Sequence, residues 1–402
     1  MQVKSIKSIK NLVDKRVMIR CDFDLPLKNG TIQDDSRLKK ILPTIKYLLK
    51  KKAKLILVGH AGRPHGRVVK ELSLKPVKNK LEKLLNQKID FIRTTPPASA
   101  SPQAMRAGGK KILMLENIRF FSGEEKNSKT FAKKLASLAD IYVNEAFAVS
   151  HRSVASVDAI QDYLPSYAGL HLEEEIKNLS AALKNPKHPV ILIIGGAKIE
   201  TKLPVIKKFQ KIVDQILVGG VVANTFLKAQ GVEVGKSLAD DYLDEAKSML
   251  NLKIKNQDAK LQLKIKNYNL FSAEGGSASG GKNYKIKNLK IILPIDWRVK
   301  NDKILDIGQK TIRLFNDIIK KAKTIVWNGP MGKFEEKEFA IGTQEIAKEI
   351  LKSKAKAVIG GGDTDKILQG KKFGSNIFVS AGGGAMLEFL AGKRLPGFKR
   401  IF

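Results

Sequence analysis

Val358-Ile359-Gly360-Gly361-Gly362-Asp363-Thr364 reads as the end of a buried strand, a tight turn and the start of a helix. The apolar run 355–359 supplies the strand, and a helical pattern follows from Lys366 to Leu368. Glycines let backbone approach a ligand closely, and the free N–H groups of a helix start face an anion. Asp363 would repel a phosphate directly; it makes sense if a divalent cation sits between the two. An acid in this position also suits an N-cap, so the turn alone leaves both readings open.

Working outward, the second half of the chain repeats this strand-then-helix unit. Strands are expected at 190–194, 215–218, 290–294, 324–327, 355–359 and 376–380. The first half does the same, with strands at 16–21, 53–58, 112–115 and 141–143 and helices at 36–50, 74–85 and 129–138. Such alternation predicts parallel βα units. A loop with three prolines falls at 94–109, and a Pro/Gly/Tyr turn at 162–169. Residues 171–183 read as one amphipathic helix with acids in its first turn, where the dipole favours them. The fold class is therefore α/β, as two halves joined by a helix, with ligands expected outside the carboxyl ends of the strands. One segment breaks the pattern: Lys-Ile-Lys-Asn recurs at 253–256, 264–267 and 285–288 around a Gly/Ser tract at 272–281. It reads as an inserted exposed hairpin, the alternative being a polyanion contact.

At 402 residues the chain can bury a large core in two domains, and its hydrophobic fraction of 43% is ordinary. One cysteine, Cys21, excludes a disulfide framework. No apolar run is long enough to span a bilayer and no signal-peptide pattern is present, so a soluble cytoplasmic protein is expected. The net charge of +35, from 74 Lys+Arg against 39 Asp+Glu, attracts anionic substrates and permits non-specific polyanion binding. The lysines are spread along the whole chain, and the 6% of aromatic residues do not interleave with them as a stacking platform requires.

In the first half, charged groups collect just after strands: Asp22, Phe23 and Asp24; Arg37 at a helix start; His60 and Arg63; Glu116 and Arg119; Glu145; His151 and Arg152. Arginine forks suit carboxylate and phosphate, and four of them at successive strand ends point to a small polyanion. In the second half, Gly195-Gly196-Ala197-Lys198 follows a strand, and Lys202 lies four residues beyond Lys198, a spacing that would put both on one face of a helix start. Asp306-Ile307-Gly308, Trp327-Asn328-Gly329 with Glu335, the opening turn and Ser380-Ala381-Gly382-Gly383-Gly384 complete the set. Several glycine-rich helix starts with two lysines and one metal-suited Asp suit a Mg-nucleotide. No GxGxxG turn is present, which disfavours a nicotinamide dehydrogenase; GVEVGKS at 231–237 is one residue short of a Walker loop. No zinc spacing and no evident general base stand out.

Together these blocks resemble the phosphoglycerate kinase family: DFDLPL (22–27), GHAGRP (59–64), LENIRF (115–120), VNEAF (143–147) with HR (151–152), GGAKIETK (195–202), WNGPMG (327–332) with FE (334–335), GGGDT (360–364), SAGGGA (380–385), LEFLAGK (387–393) and LPG (395–397). The resemblance runs from about Val17 to Phe398 apart from the insertion. It implies two Rossmann-like domains with parallel sheets facing a cleft, hinge closure and a monomer. It also implies a glycerate-binding domain at 1–169, an interdomain helix at 170–185, a nucleotide-binding domain at 186–385, and a segment 386–402 returning to the first domain. Asp22, Phe23, Asp24, Arg37, His60, Arg63, Arg119 and Arg152 would then hold 3-phosphoglycerate or 1,3-bisphosphoglycerate. Lys198, Lys202, Gly308 (by the base), Glu335 (on the ribose), Gly361, Gly362, Asp363 and Thr364 would hold ATP or ADP. Asp363 would hold Mg²⁺, and Arg37, Lys198, Gly361 and Gly384 would act on the transferred phosphoryl group.

Four features depart from the family pattern. Asp24 stands where the family has Asn, Ala381 where it usually has Thr, and Gln309 where it usually has Pro; the insertion at about 250–290 has no counterpart. Asp24 adds a negative charge beside an anionic substrate and is expected to weaken its binding. A scaffold kept for polyanion binding is the competing reading.

Overall fold

A computed structural model describes residues 3–28, 30–93, 111–250 and 290–402. The expected loop at 94–109 and the Lys-Ile-Lys-Asn tract at 253–288 lie outside them. The chain divides into two compact units, residues 1–180 with 381–402 and residues 181–380.

The first unit is built on a six-stranded parallel sheet of β1 (Arg16–Arg20), β2 (Lys54–Val58), β3 (Asp90–Ile92), β4 (Ile112–Leu115), β5 (Ile141–Asn144) and β6 (Ser166–Ala168), in the order β3-β4-β2-β1-β5-β6. Alternation along β1 feeds two cores. Val17, Ile19 and Cys21 join Leu38, Ile41, Ile45 and Leu48 of helix α1 (Ser36–Lys50) on one face. Met18 joins Phe131, Leu135 and Tyr142 on the other. Burial on both faces explains why these strands read as apolar runs. α1 falls on its expected bounds, and helix α2 (Lys75–Leu85) starts one residue later than expected, after Leu74. The stretch expected as a plain turn at 162–169 contains strand β6, paired in parallel with β5 from Tyr142–Ser166 to Asn144–Ala168. Three residues beside Pro165 are too few to show a strand period.

The second unit repeats the plan with β7 (Val190–Ile194), β8 (Gln215–Val218), β9 (Ile291–Ile292), β12 (Thr324–Asn328), β13 (Lys356–Gly360) and β14 (Ile377–Ser380), in the order β9-β8-β7-β12-β13-β14. An antiparallel hairpin, β10 (Trp297–Lys300) with β11 (Lys303–Ile307), was not evident from sequence and stands outside that sheet. Both sheets are parallel, so all strands of a unit end on one edge. In the first unit Arg20 lies opposite both Val58 and Asn144. In the second, Ile194 lies opposite Asn328, Asn328 opposite Gly360, and Gly360 opposite Ser380. These registers bring segments from distant parts of the sequence together along one rim per unit.

Helix α3 (Leu170–Leu183) runs out of the first unit, and the division between units falls after its Ser180. Its first turn is held by Glu145, which follows β5. Glu145 Oε1 accepts the His171 N–H at 3.1 Å and the Thr44 hydroxyl; Oε2 accepts the Leu172 N–H at 3.0 Å. An anion is favoured at this helix end, but burial dominates and raises the Glu145 carboxyl to about 7.

Candidate active site

On the rim of the first unit, β1 leads directly into Asp22, whose side chain is buried. Arg37, entering α1, donates from Nη1 to both Asp22 carboxylate oxygens, at 3.2 and 3.1 Å, and to the Asp24 carbonyl at 3.1 Å. Burial raises the Asp22 carboxyl, and the Arg37 charge opposes that rise. The Phe23 ring is fully buried, and a Cβ at Gly59 would come within 2.1 Å of it. Of Phe23, then, only the backbone is left for a ligand; its side chain belongs to the core.

Asp24 Oδ1 accepts the Gly62 N–H at 2.9 Å, and Oδ2 lies 3.9 Å from His60 Nε2. The Gly62 carbonyl in turn accepts Arg119 Nη1 at 2.6 Å. Gly62, through its N–H and its carbonyl, thus links the segments that follow β1, β2 and β4. Asn117 braces the same loop by donating to the Ala61 and Leu72 carbonyls at 2.7 and 2.9 Å. Arg63 is exposed. Arg152 Nε is buried with no hydrogen-bond partner among the described residues, as is His151 Nδ1. A buried donor left unpaired is costly, so Arg152 suits an anionic ligand.

The residue that sequence reasoning missed here is Arg20. It occupies the last position of β1 and is almost completely buried. Its Nε donates to Ser156 Oγ at 2.8 Å, its Nη1 to the Cys21 carbonyl at 2.6 Å, and its Nη2 lies 3.1 Å from His60 Nδ1. Ser156 also gives its N–H and hydroxyl to the buried Glu124, at 2.8 and 2.6 Å. A guanidinium can only donate, so His60 Nδ1 accepts and its proton sits on Nε2, facing Asp24 and the rim. Burial, followed by the charges of Arg20, Arg119, Arg152 and Arg37, holds the imidazole well below its ordinary range. His60 is therefore a neutral donor. The signal in the sequence was an arginine inside an otherwise apolar strand.

Gly382 precedes helix α9 (Gly383–Leu390), which belongs to the first unit. A Cβ at Gly382 would meet the Phe147 ring at 2.6 Å, and one at Gly384 would lie 3.2 Å from His151 Nε2. The Ala381 N–H donates to Glu175 Oε1 at 2.6 Å.

On the rim of the second unit, glycine turns touch backbone to backbone. A Cβ on Gly329 would lie 2.3 Å from the Gly195 carbonyl oxygen. Gly361, with φ +121°, leads from β13 into helix α8 (Gly362–Leu368), as the opening stretch predicts. A side chain at Gly362 would meet nothing within 4 Å, so the helix start is open to a ligand. The buried Thr364 hydroxyl accepts the Gly329 N–H at 3.1 Å and locks two turns together. Asp363 is exposed and does not cap the helix; its one ion pair among the described residues is with Lys366, at 3.5 Å. A single exposed carboxylate, held among the described residues only by an i,i+3 lysine, fits Mg²⁺, which keeps several waters and takes its other oxygens from phosphate. No cluster of three or more His, Cys, Asp or Glu suited to a metal occurs among the described residues.

The spacing of Lys198 and Lys202 was expected to place both on a helix face. Residues 196–202 instead form bends and turns, and helix α4 begins at Leu203, with Pro204 in its first turn. Proline is preorganised for that position. Lys198 is exposed, while Lys202 is partly buried with its Nζ beside Gly196. Burial lowers the Lys202 ammonium's pKa; Asp363 opposes this, Lys198 adds to it, and Asp240 opposes it. Gly308 precedes helix α6 (Gln309–Lys321). A Cβ there would strike the Asp296 carboxylate at 2.3 Å, and that carboxylate caps α6 through the Lys310 and Thr311 N–H groups at 2.9 and 2.7 Å. Glu335 is exposed.

An arginine-lined rim on one α/β unit, and a rim of glycine turns, lysines and one exposed carboxylate on the other, fit an ATP-dependent phosphotransferase of the two-unit α/β kind. The phosphoglycerate kinase family model matches residues 6–393. The phosphoglycerate kinase of Finegoldia magna is 43% identical over all of this chain and 99% of its own length. That of Pelotomaculum thermopropionicum is 40% identical over 100% and 99%. The solved structure of phosphoglycerate kinase from Coxiella burnetii, 37% identical, matches 100% of this chain and 99% of its own with a TM-score of 0.79. This chain belongs to the phosphoglycerate kinase family.

Proposed function

We propose that the chain transfers a phosphoryl group reversibly between 1,3-bisphosphoglycerate and MgADP, giving 3-phosphoglycerate and MgATP, as a soluble glycolytic enzyme acting as a cytoplasmic monomer. The observation that carries this reading is that each unit's parallel sheet gathers, at its carboxyl rim, the groups one substrate needs. In the first unit, Asp22, Asp24, Arg37, His60, Arg63, Arg119 and Arg152, with the Phe23 backbone, hold the glycerate. Neutral His60 donates from Nε2, and Arg37 reaches the transferred group. In the second, Lys202 and the N–H groups at Gly361, Gly362 and Asp363 hold the nucleotide phosphates, while Gly308 flanks the base and Glu335 takes the ribose. Thr364 contributes by fixing the turn.

Mg²⁺ on Asp363 would neutralise charge on the nucleotide phosphates. Lys198 and Arg37 stabilise the phosphoryl group in flight from opposite sides, with N–H groups at Gly361 and Gly384 completing the cage. The attacking oxygen is already ionised, on ADP or on the glycerate carboxylate, so no general base is required. Catalysis is positioning and charge stabilisation with water excluded. With one substrate per unit, in-line transfer requires closure about a hinge, for which α3 and the chain's return near residue 381 are the candidates.

The test is a coupled assay of the purified chain with 3-phosphoglycerate and MgATP, reading acyl-phosphate formation through NADH oxidation. Lys198→Ala and Asp363→Ala should each cost roughly 10²–10³ in kcat. A folded wild-type chain that binds nucleotide and does not turn over would reject the reading.

A further inference from the structure

Lys198 and Lys202 lie on an arm without regular secondary structure, so something else must set where their ammonium groups fall. The arm turns about Ile199, whose side chain is fully buried. The Ile199 carbonyl accepts the N–H groups of Lys202 and Leu203 at 2.7 and 2.9 Å, which closes the turn into α4. Its N–H donates to Asp240 Oδ2 at 2.8 Å, across 41 residues of sequence.

Asp240 is itself anchored from behind. Its N–H donates to Thr225 Oγ1 at 3.0 Å, and that buried hydroxyl donates to the Val221 carbonyl at 3.2 Å, four residues earlier in helix α5 (Gly220–Ala229). The neighbouring Asn224 fixes the same segment through the Leu238 carbonyl at 3.1 Å. α5 begins on the nucleotide rim, where the Gly220 N–H donates to the Met331 carbonyl at 2.8 Å. A continuous set of hydrogen bonds therefore runs from the rim, through α5 and Asp240, to the peptide between the two lysines.

We infer that Asp240 is a positioning residue for phosphoryl transfer, setting the Lys198–Lys202 arm through the Ile199 N–H without touching substrate. The inference rests on the kinase reading above and extends it to a residue outside the substrate-binding set. Asn at this position keeps an oxygen that can accept the Ile199 N–H; Ala removes the acceptor and frees the arm.

The experiment compares the full-length wild type with Asp240→Ala and Asp240→Asn, measuring kcat, the KM for each substrate, and MgADP affinity by calorimetry. Misplacement of a reacting group by about 1 Å costs up to roughly 10²-fold, so Asp240→Ala should lose about 10- to 100-fold in kcat and bind MgADP more weakly. Its KM for 3-phosphoglycerate, whose site is on the other unit, should stay within about two-fold, and Asp240→Asn should recover most of the loss. An alanine variant with wild-type kcat and MgADP affinity overturns the inference. So does an asparagine variant as impaired as the alanine one, or a rise in both KM values with loss of folded circular dichroism. A wild type without turnover rejects the kinase reading instead, and the calorimetric comparison still decides whether Asp240 supports the nucleotide rim.

Discussion

Asp24 offers the sharpest test of the proposed glycerate site, because it puts a second carboxylate beside an anionic substrate. Asp24 Oδ1 is committed to the Gly62 N–H, a bond that Asn can also make. Oδ2 is the atom that differs; it lies 3.9 Å from His60 Nε2, the proton-bearing nitrogen that faces the rim. A substrate oxygen bonded to that nitrogen would sit on the order of 5–6 Å from the Asp24 charge, a repulsion of about 0.7 kcal/mol in water and about 3 kcal/mol at an effective dielectric of 20. The Asp24 side chain is 45% exposed, which places it towards the water end of that range. Asp24→Asn should therefore improve glycerate binding by about 1 kcal/mol, or roughly five-fold in the KM for 3-phosphoglycerate. kcat and the KM for MgATP should hardly change, since the charge acts on the bound and transition states alike. Initial-rate kinetics in the coupled assay at low and high salt would measure this, and the gain should shrink as salt rises. An unchanged or raised KM for 3-phosphoglycerate would refute the reasoning and indicate that neighbouring arginines already neutralise Asp24.

Glu145 gives a pH prediction. Its folded carboxyl lies at about 7 against an ordinary 4.5, so between those values the folded state binds more protons than the unfolded one. Stability should fall as pH rises through that window, by up to about 3 kcal/mol, and level off above it. Glu145→Gln should remove the slope at a pH-independent cost of about one helix-end hydrogen bond, roughly 1 kcal/mol; parallel urea-midpoint profiles for the two proteins from pH 5 to 8 would contradict this. Gly308→Ala should force the Asp296 carboxylate off the first N–H groups of α6 and cost about 1–2 kcal/mol, read as a lower urea midpoint, whereas an unchanged midpoint would show that the cap can shift without loss.

The rims were legible because parallel sheets place the informative residues just after apolar runs, where Asp22, His60, Arg119, Lys198 and Asp363 all fall. What stayed hidden depended on three-dimensional pairing. Arg20 sits inside the strand rather than after it, and its task, setting the His60 tautomer, spans 40 residues. Asp240 follows no strand of either sheet and acts through the backbone of a residue 41 positions away. The β10–β11 hairpin and the three-residue β3 and β6 are too short for a period to show. The helix face proposed for Lys198 and Lys202 failed because spacing cannot distinguish a helix from a turn that merely precedes one. Glycines misled in a milder way: Gly308 is required by Asp296 and Gly329 by Gly195, so steric need and ligand approach share the same positions.

The return of residues 381–402 to the first unit has a consequence for how the chain acquires its structure during synthesis. Gly397 and Pro396 carbonyls accept Asn144 and Gln161 at 3.0 Å each, the Arg400 N–H donates to Gln161 at 3.0 Å, and the Ile401 carbonyl accepts Lys4 at 2.8 Å. Phe398, fully buried, stacks against Phe147 with ring centroids 6.3 Å apart. The unit translated first therefore lacks part of its core until the ribosome has made everything between, while the later unit is continuous in sequence and can close on itself at once. Order of emergence and order of completion are reversed: a chain released at residue 380 would carry a complete second unit and an incomplete first one, exposing the apolar surface that chaperones bind.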